Sequence, residues 1–313
     1  MTSSGAVAGR RHTELIFRLL YGLGKGSGKV TRMSFEMFFI GRDLPVHRIG
    51  LGTGHLVGKG YWGPRGDRAD AVKLLRHAAT RGVDLIDTAG DYGPELAEEL
   101  IAEALHPYPV GLAVATKGGI VRTSATEWHL DGRPESLREM CEASLRRLKL
   151  ETIELYQLHR IDPQVPLAEQ LGALTELQGE GKIRHIGLDS VSAEQARAAM
   201  ELAEIASVQN RFHLLDREST TLLELCEERQ VAFLPWSPLN DGALAAPGRP
   251  VVDEIAKEHG ATPAQVALSW LLHRSKVFLP TPGTTSPAHL EENLSAGDLE
   301  LTPEELTRLS ELT

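Results

Sequence analysis

Four polar residues of this chain are of the types that move protons to and from an oxygen atom. Asp87 and Tyr92 share one turn-rich stretch that follows an apolar run, and Lys117 and His159 each directly follow a later apolar run. A phenol and an imidazole can donate a proton or a hydrogen bond to an oxygen, and a carboxylate and an ammonium can tune them. This set predicts acid–base chemistry on a carbonyl or an alcohol.

Carbonyl reduction suits these residue types. The acceptor carbon must be polarised before it takes a hydride, and the alkoxide that develops needs a proton. A tyrosine with a pKa of ~10 is a poor acid at neutral pH, but a neighbouring ammonium lowers that pKa. We therefore expect Tyr92 to be the general acid and Lys117 to lower its pKa. Asp87 is expected to pair with Lys117, and His159 is expected to orient the substrate oxygen.

Alternating strand-like and helix-like runs must position these side chains. Strands are expected near residues 47–52, 83–87, 112–116, 153–158, 184–188, 206–209, 231–235 and 277–280. Helices are expected near residues 69–80, 94–105, 134–148, 167–180, 193–204, 218–229, 263–274 and 287–296. Eight such pairs over ~250 residues predict a single-domain (β/α)₈ TIM barrel over residues 37–313, with a non-barrel N-terminal extension over residues 1–36.

A barrel would bring the four polar residues together, because the C-terminal ends of its strands meet at one mouth. Taken alone, each of the four residues could be explained as a turn former, a solvated charge or a packing residue. A doubly wound sheet is the alternative fold, and it needs a glycine fingerprint running straight from strand into helix. Glycines stand at positions 50, 52 and 54, but the next helix is expected only near Ala69, which favours the barrel.

Composition excludes several classes of function. The net charge of −10 argues against a general nucleic-acid-binding surface. Cys141 and Cys226 lie in helix-like stretches and indicate buried thiols in a reducing, cytoplasmic protein rather than a disulfide framework. No apolar run approaches the ~18 residues of a membrane span. We expect a cytoplasmic protein without a membrane or nucleic-acid partner; its oligomeric state is not readable from the sequence.

The first 36 residues differ from the rest. Residues 1–32 contain six Lys or Arg and one Glu, a charge of +5, which leaves −15 on the remainder of a chain whose total is −10. A phosphate-loop interpretation of residues 22–30 fails, because Leu23 replaces the first glycine and Val30 the hydroxyl residue. The apolar run 15–21 is too short and too charged for a signal peptide. The segment is expected to be a flexible basic tail, or a misassigned start with the true one at Met33.

Three motifs resemble those of the aldo-keto reductases: Asp-Thr-Ala-Gly-Asp-Tyr-Gly at 87–93, Ala-Thr-Lys-Gly-Gly at 115–119 and Leu-Tyr-Gln-Leu-His-Arg at 155–160. The resemblance covers roughly residues 37–313. It implies a (β/α)₈ barrel that reduces a small-molecule carbonyl with a nicotinamide cofactor, usually NADPH, with NADH as the alternative. It gives Asp87, Tyr92, Lys117 and His159 the roles assigned above. Residues 58–64 and 155–162 look most like the bacterial subgroup that includes pyridoxal reductases.

The resemblance also implies the cofactor contacts, among them a glutamine for the nicotinamide amide and an aromatic residue that stacks on the ring. The positions are Gly52, Thr53, Asp87, Asp189, Ser190, Gln209, Trp236, Ser237, Pro238, Leu239, Gly283, Thr284, Thr285, His289, Glu292 and Asn293.

Two of these positions depart from the family pattern. Asp189-Ser190 stands where Ser-Asn is common. An ionised Asp189 would either favour the positively charged oxidised nicotinamide or turn away to hold an arginine or backbone amides. Gly283 and His289 stand where many members bring a lysine and an arginine to the 2′-phosphate. His289 is then either a phosphate contact or a solvated residue at a helix start, and NADPH preference rests on backbone amides and hydroxyls.

Loops are expected to set substrate specificity. Trp62, in the loop after the first strand, and Trp128, in the loop after Lys117, are the candidate substrate contacts, although each could equally be local packing. A non-catalytic regulatory subunit on the same barrel remains an alternative. A metal-dependent hydrolase is disfavoured, because strand one offers only His55 and the chain has no His-x-His or His-Glu-x-x-His motif. No metal site is expected.

Removing the basic tail tests its assignment as an appendage. We expect deletion of residues 1–32 to leave kcat/KM and the melting temperature unchanged, because the segment lies outside the strand–helix repeat. Steady-state kinetics and thermal unfolding of the truncated and full chains check this, and a large fall in either would show that the tail is structural.

Overall fold

The computed structural model describes residues 37–312. The predicted extension over residues 1–36, with the alternative start at Met33, lies outside the described residues, as does Thr313. The strands are β1 Met37–Ile40, β2 Leu44–His47, β3 Leu51–Gly52, β4 Leu85–Asp87, β5 Ala113–Gly118, β6 Ile120–Arg122, β7 Trp128–Leu130, β8 Ile153–Leu158, β9 Ile183–Asp189, β10 Ile205–Arg211 and β11 Ala232–Trp236.

Helices follow most of these strands. They are α1 Arg68–Thr80, α2 Leu96–Leu105, α3 Pro134–Leu148, α4 Leu167–Gly179, α5 Ala193–Met200, α6 Thr220–Arg229, α7 Pro250–Glu258, α8 Pro263–Arg274, α9 Pro287–Ser295 and α10 Pro303–Ser310. Strands β3, β4, β5, β8, β9, β10 and β11 form one parallel sheet in that order.

The sheet closes on itself through residues 277–280. Phe233 of β11 exchanges two hydrogen bonds with this segment, to the carbonyl of Val277 and from the amide of Leu279, each 2.8 Å long. On the other side Gly50, just before β3, donates to the carbonyl of Pro280 over 3.0 Å. This segment is the eighth strand that the sequence predicts, and it confirms the (β/α)₈ barrel.

Small and aliphatic side chains fill the barrel interior. They form a cluster of buried residues that comprises Ile40, Leu44, Val46, Leu85, Ala113, Ala115, Leu155, Ala206, Ala232, Leu234 and Leu279. A second, larger cluster fills the layer between strands and helices and includes Trp270, which is 1% exposed. Strands buried on both faces read as continuous apolar runs, which is why the sequence reveals them.

An N-terminal hairpin contributes to the barrel interior. Strands β1 and β2 pair antiparallel, and their buried side chains pack against residues at the starts of β4, β5 and β11. His47 donates its backbone amide to Asp84 Oδ1 over 2.9 Å, and its Nδ1 lies 2.6 Å from Oδ2. The hairpin therefore covers the N-terminal end of the barrel and leaves the C-terminal ends of the strands for a site.

The structure corrects the predicted elements at several points. The strand predicted at 47–52 is two strands, because β2 belongs to the hairpin and only β3 joins the barrel. The helix predicted at 193–204 ends at Met200, since β10 already begins at Ile205. Helices α7 and α10 and the hairpin β6–β7 were not predicted. Both helices begin with a proline in the first turn, and α10 has a capping box between Thr302 and Glu305.

Truncation of the hairpin core tests whether it is part of the fold. Ile40 is fully buried, so we expect Ile40→Ala to lower the free energy of unfolding by about 2–5 kcal/mol. Phe39, the preceding residue, is 43% exposed, and Phe39→Ala is the matched control with an expected effect of about 0.5 kcal/mol. Denaturant unfolding measures both. Equal losses in the two variants would contradict the assignment.

Candidate active site

A cavity of about 1150 Å³ opens at the C-terminal ends of the barrel strands. Asp87 is the last residue of β4, Asp189 is the last residue of β9, and His159 directly follows β8; all three line the cavity. Lys117 is 1% exposed and lies within β5, which continues to Gly118 instead of ending at residue 116 as predicted. The barrel thus brings the predicted residues to one end, as the strand-end argument requires.

The Asp87–Lys117 ion pair lies at the base of the cavity. Lys117 Nζ donates to Asp87 Oδ1 over 2.7 Å and to the carbonyl of Thr88 over 2.9 Å. Gln209 Nε2 donates to the other carboxylate oxygen over 3.1 Å. Thr53, predicted to contact the cofactor, donates its amide and its hydroxyl to the carbonyl of Asp87. A buried ammonium is therefore matched by a carboxylate whose own position is fixed.

Tyr92 lies beside this pair. Lys117 Nζ is 5.4 Å from the centre of the Tyr92 ring. Burial raises the pKa of Tyr92 well above its ordinary value, and the negative charge of Asp87 raises it further. The net direction is opposite to the lowering expected from Lys117, because burial is the largest cause and acts to raise the pKa. Tyr92 consequently keeps its proton at neutral pH.

Tyr61 covers the Tyr92 ring, a contact that the sequence analysis missed. The two rings stack with centroids 4.9 Å apart and planes inclined by 16°, and the Arg122 guanidinium lies 5.3 Å from the Tyr61 ring centre. Tyr61 has a φ of 57°, the left-handed region that is uncommon for a bulky residue. Its carbonyl accepts from the amide of Gly93 over 2.9 Å, which ties the Tyr61 loop to the turn that carries Tyr92.

His159 lies between two carboxylates. Its Nδ1 is 3.0 Å from Asp91 Oδ1, and its Nε2 is 3.9 Å from Asp189 Oδ2. Asp91 Oδ2 accepts from Arg122 Nη2 over 2.8 Å and from Nε over 3.2 Å. Burial acts to raise the pKa of Asp91, but His159 and Arg122 together hold it below its ordinary value. Sequence reasoning passed over Asp91, although it directly precedes Tyr92 in the motif.

Asp189 is held by an arginine. Its Oδ1 accepts from Arg160 Nη1 over 2.8 Å and from the Ser190 hydroxyl over 2.6 Å. This arrangement favours the second of the two roles considered for Asp189, in which it ties down a neighbouring cation. Arg122 and Arg160, two of the arginines that line the cavity, are thus each paired with a carboxylate.

The wall formed by β10 and β11 presents polar atoms without partners. Among the described residues, Gln209 Oε1 and Trp236 Nε1 are buried and accept or donate no hydrogen bond. Ser237 and Pro238 also line the cavity, whereas Leu239 packs against the hydrophobic core. Buried polar groups are normally satisfied, so these two atoms suit a bound polar molecule.

Two glycines allow the backbone to close tightly at the cavity edge. Gly52 pairs with Gly283, and a Cβ on Gly52 would lie 2.5 Å from the carbonyl oxygen of Thr281. A Cβ on Gly283 would overlap the ring of His55. Both glycines line the cavity, so a flat or extended group can approach the backbone here.

The remaining predicted cofactor residues lie just before α9 or within it. Ser286 Oγ accepts from the amide of His289 over 3.4 Å, and Thr284 Oγ1 accepts from the amide of Ser286 over 3.0 Å. Thr284 and Asn293 are buried, Glu292 is half-buried, and Thr285 and His289 are exposed. None of these residues lines the cavity itself.

The two candidate substrate tryptophans differ in placement. Trp128, in β7, lines the cavity and is 49% exposed. Trp62 is 40% exposed, pairs with Gly93 and does not line the cavity. Its neighbour Tyr61 takes the position at the cavity wall.

Two kinds of feature are absent from residues 37–312. No helix in this part of the chain is both long and apolar enough to cross a membrane. Within the same residues, no three His, Cys, Asp or Glu side chains are grouped so that they could hold a metal ion.

Comparison with known proteins points to one family. The model of the aldo/keto reductase family matches residues 48–313. An uncharacterized oxidoreductase of Schizosaccharomyces pombe is 43% identical over 269 residues, which cover 86% of this chain and 87% of that protein. Pyridoxine 4-dehydrogenase of Escherichia coli is 36% identical over 88% of this chain and 98% of its own. The structure of a Klebsiella pneumoniae aldo-keto reductase in complex with NADPH is similar with a TM-score of 0.76 at 27% identity, covering 88% of this chain and 94% of that one.

The ionisation of Tyr92 can be measured directly. Because its pKa is raised, we expect Tyr92 to remain a neutral phenol at about pH 10.5, where an exposed tyrosine is mostly ionised. Spectrophotometric titration should then count equal numbers of tyrosinates in the parent and in Tyr92→Phe. One additional tyrosinate in the parent at that pH would contradict the inferred direction.

Proposed function

The chain belongs to the aldo/keto reductase family and is an oxidoreductase, and we propose that it reduces an aldehyde or a ketone to the alcohol, with NADPH as hydride donor and Tyr92 as general acid. The observation that carries this proposal is the buried Asp87–Lys117 pair beside Tyr92, at the mouth where His159 also lies. A phenol, an ammonium and an imidazole around one cavity supply the proton and the oxygen clamp that carbonyl reduction needs.

Tyr92 supplies the proton. Its raised pKa keeps the phenol protonated at neutral pH, which is the form that a general acid requires. After the proton has moved to the substrate oxygen, the phenolate lies 5.4 Å, measured from its ring centre, from the Lys117 ammonium. That charge offsets part of the cost that burial imposes on the phenolate. Asp87 holds Lys117 in place for this purpose.

His159 orients the substrate oxygen. Its ring meets the Tyr92 ring edge-on, with centroids 6.0 Å apart, so both side chains border the same space. The amide of His159 donates to the carbonyl of Gly118 over 2.9 Å, which fixes the backbone at this position. An oxygen between the two rings would receive a hydrogen bond from each side.

The cavity fits a nicotinamide dinucleotide. When bound, this cofactor supplies the hydride to the carbonyl carbon. The free Oε1 of Gln209 can accept from the carboxamide, the Trp236 ring can pack on the nicotinamide, and Ser237 and Pro238 lie where the pyrophosphate would pass. The glycine edge at Gly52 and Gly283 gives the extended cofactor room against the backbone.

The start of α9 is the proposed site for the 2′-phosphate. The N-terminus of a helix attracts anions, and the hydroxyls of Thr284, Thr285 and Ser286 lie beside this one. Gly283 and His289 do not offer the fixed charges of a lysine and an arginine, so NADH is the alternative donor. The similar Klebsiella pneumoniae structure contains NADPH, which supports NADPH.

The proposed substrate is a small aromatic carbonyl compound. Trp128 and Tyr61 supply aromatic surface at the cavity wall, and such surface packs well on a planar ring. Arg122 and Arg160 are already paired with carboxylates, so neither offers an unbalanced charge for an anionic substrate. The similarity to pyridoxine 4-dehydrogenase supports a pyridoxal-like compound as one candidate.

Removing the Tyr92 hydroxyl tests the proposed function. A screen of pyridoxal, aromatic aldehydes and keto sugars, followed by NADPH absorbance with NADH in parallel, first identifies a substrate. We expect Tyr92→Phe to lose about 10²-fold or more in kcat while its Kd for NADPH, measured by fluorescence, stays unchanged. Tyr61→Phe is the matched control, because its ring still stacks on Tyr92, and it should keep most of the activity.

If kcat of Tyr92→Phe lies within a few-fold of the parent value, Tyr92 is not the general acid. Absence of turnover by the parent chain with every carbonyl in the screen would instead favour a binding or regulatory role for the barrel.

A further inference from the structure

Arg211 lies behind Trp236, at the wall of the cavity where the nicotinamide is proposed to bind. The two residues end neighbouring strands and lie opposite each other in register, Arg211 in β10 and Trp236 in β11. Side chains in register on parallel strands point to the same face of the sheet, and the Arg211 guanidinium lies 5.3 Å from the centre of the Trp236 ring. Trp236 lines the cavity and Arg211 does not, so the guanidinium contacts the ring from outside the cavity.

Two hydrogen bonds fix the position of this guanidinium. Its Nε donates to Asp216 Oδ2 over 2.8 Å, and its Nη2 donates to Asn240 Oδ1 over 2.7 Å. Asp216 belongs to the tight turn after β10, where it exchanges two backbone hydrogen bonds with His213. Asn240 belongs to the turn after β11 and has a φ of 48°, a left-handed value at which asparagine is enriched. Arg211 therefore joins the two turns that follow these strands.

The Trp236 ring has no hydrogen bond of its own to hold it. Its Nε1 is buried and has no partner among the described residues. A cation over the face of an aromatic ring is attracted by the electrons of that ring, and tryptophan gives the strongest attraction. Because two hydrogen bonds fix the guanidinium, this attraction favours one orientation of the indole.

We propose that Arg211 is a positioning residue for the cofactor, which holds the Trp236 ring in the orientation that packs against the nicotinamide. A ring that is ordered before the cofactor arrives loses less conformational freedom on binding, so the complex is tighter. The inference rests on the proposed function, because the nicotinamide is the group that Trp236 would contact. Arg211 acts only through Trp236, since it does not line the cavity itself.

Arg211→Met is the critical variant, because it keeps an unbranched stem and removes the guanidinium. We expect its Kd for NADPH, measured by nucleotide fluorescence, to rise about three- to tenfold over the parent value. Adenosine 2′,5′-bisphosphate carries the phosphate end of NADPH without the nicotinamide. Its Kd, measured by calorimetry, should change by less than about twofold, because the variant leaves the distant α9 site intact.

Arg138→Met is the matched control. Arg138 is also a partly exposed arginine in an ion pair, with Glu180 as its partner, and it does not line the cavity. This variant should bind both ligands as the parent does. A rise in the Kd of NADPH that is the same in both methionine variants would contradict the specific role of Arg211.

A double-mutant cycle tests whether Arg211 acts through the indole. If it does, Arg211→Met should change the Kd for NADPH by less than about twofold once Trp236→Ala has removed the ring. A loss of the same size with and without the ring would overturn the inference, and it would assign the effect to the turn that Asn240 holds.

The ring can also be followed without any cofactor. The chain has 4 tryptophans, and the emission of Trp236 is the part that disappears in Trp236→Phe, made both in the parent and in Arg211→Met. We expect acrylamide to quench this emission more strongly in Arg211→Met, because a released ring is open to the solvent of the cavity. Equal quenching in the two proteins would show that Arg211 does not hold the ring.

A second variant covers the case in which Arg211→Met does not fold. Loss of the arginine leaves Asp216 without its partner, and the double variant Arg211→Met with Asp216→Asn removes that uncompensated charge. The same changes in the Kd for NADPH and in quenching are expected of it.

Binding of NADPH to the parent separates this inference from the proposed function. If the parent binds NADPH and reduces a carbonyl while Arg211→Met keeps the parent Kd, the inference is wrong and the proposed function is unaffected. If the parent binds no NADPH, the proposed function is wrong, and so is the inference that rests on it.

Discussion

The buried ion pair between Asp87 and Lys117 is the constraint on which the site depends. An ammonium removed from water is costly unless a carboxylate matches it. The barrel provides this match, because β4 and β5 are adjacent, Asp87 lies opposite Ala115, and Lys117 is two residues further along on the same face. Gln209, two strands beyond β8, fixes the other carboxylate oxygen. A shift of one residue in either strand would bury an unmatched charge.

This pairing determines how Tyr92 can act. Burial raises the pKa of Tyr92, and the negative charge of the same Asp87 that pairs with Lys117 raises it further. A tyrosine with a raised pKa stays protonated in the resting enzyme, and it can give its proton to an alkoxide that develops beside it. In the proposed mechanism, Lys117 contributes more in the transition state, where the phenolate forms, than in the resting enzyme, and such a differential interaction lowers a barrier.

Much of the barrel and the four polar residues at its mouth could be predicted, because buried parallel strands leave continuous apolar runs and their ends carry the polar residues. Contacts between distant parts of the chain could not. Asp91 lies next to Arg122 and His159, which are 31 and 68 residues away in the sequence. Tyr61 stacks on Tyr92 across 31 residues of sequence and has a left-handed backbone, which the residue type does not predict. The direction in which the pKa of Tyr92 shifts depends on the balance between burial and several charges, and the spacing of the motif residues does not encode that balance.

The charged side chains around His159 sum to zero when the imidazole is neutral. Arg122 balances Asp91 on one side, and Arg160 balances Asp189 on the other. A single proton on His159 therefore changes the net charge beside the substrate oxygen from zero to +1. In a partly buried mouth this charge is screened less than it would be in water, so it acts strongly on an oxygen that gains negative charge during reduction. In the proposed mechanism, two aspartates can therefore flank His159 without repelling the alkoxide, because each aspartate is paired with its own arginine.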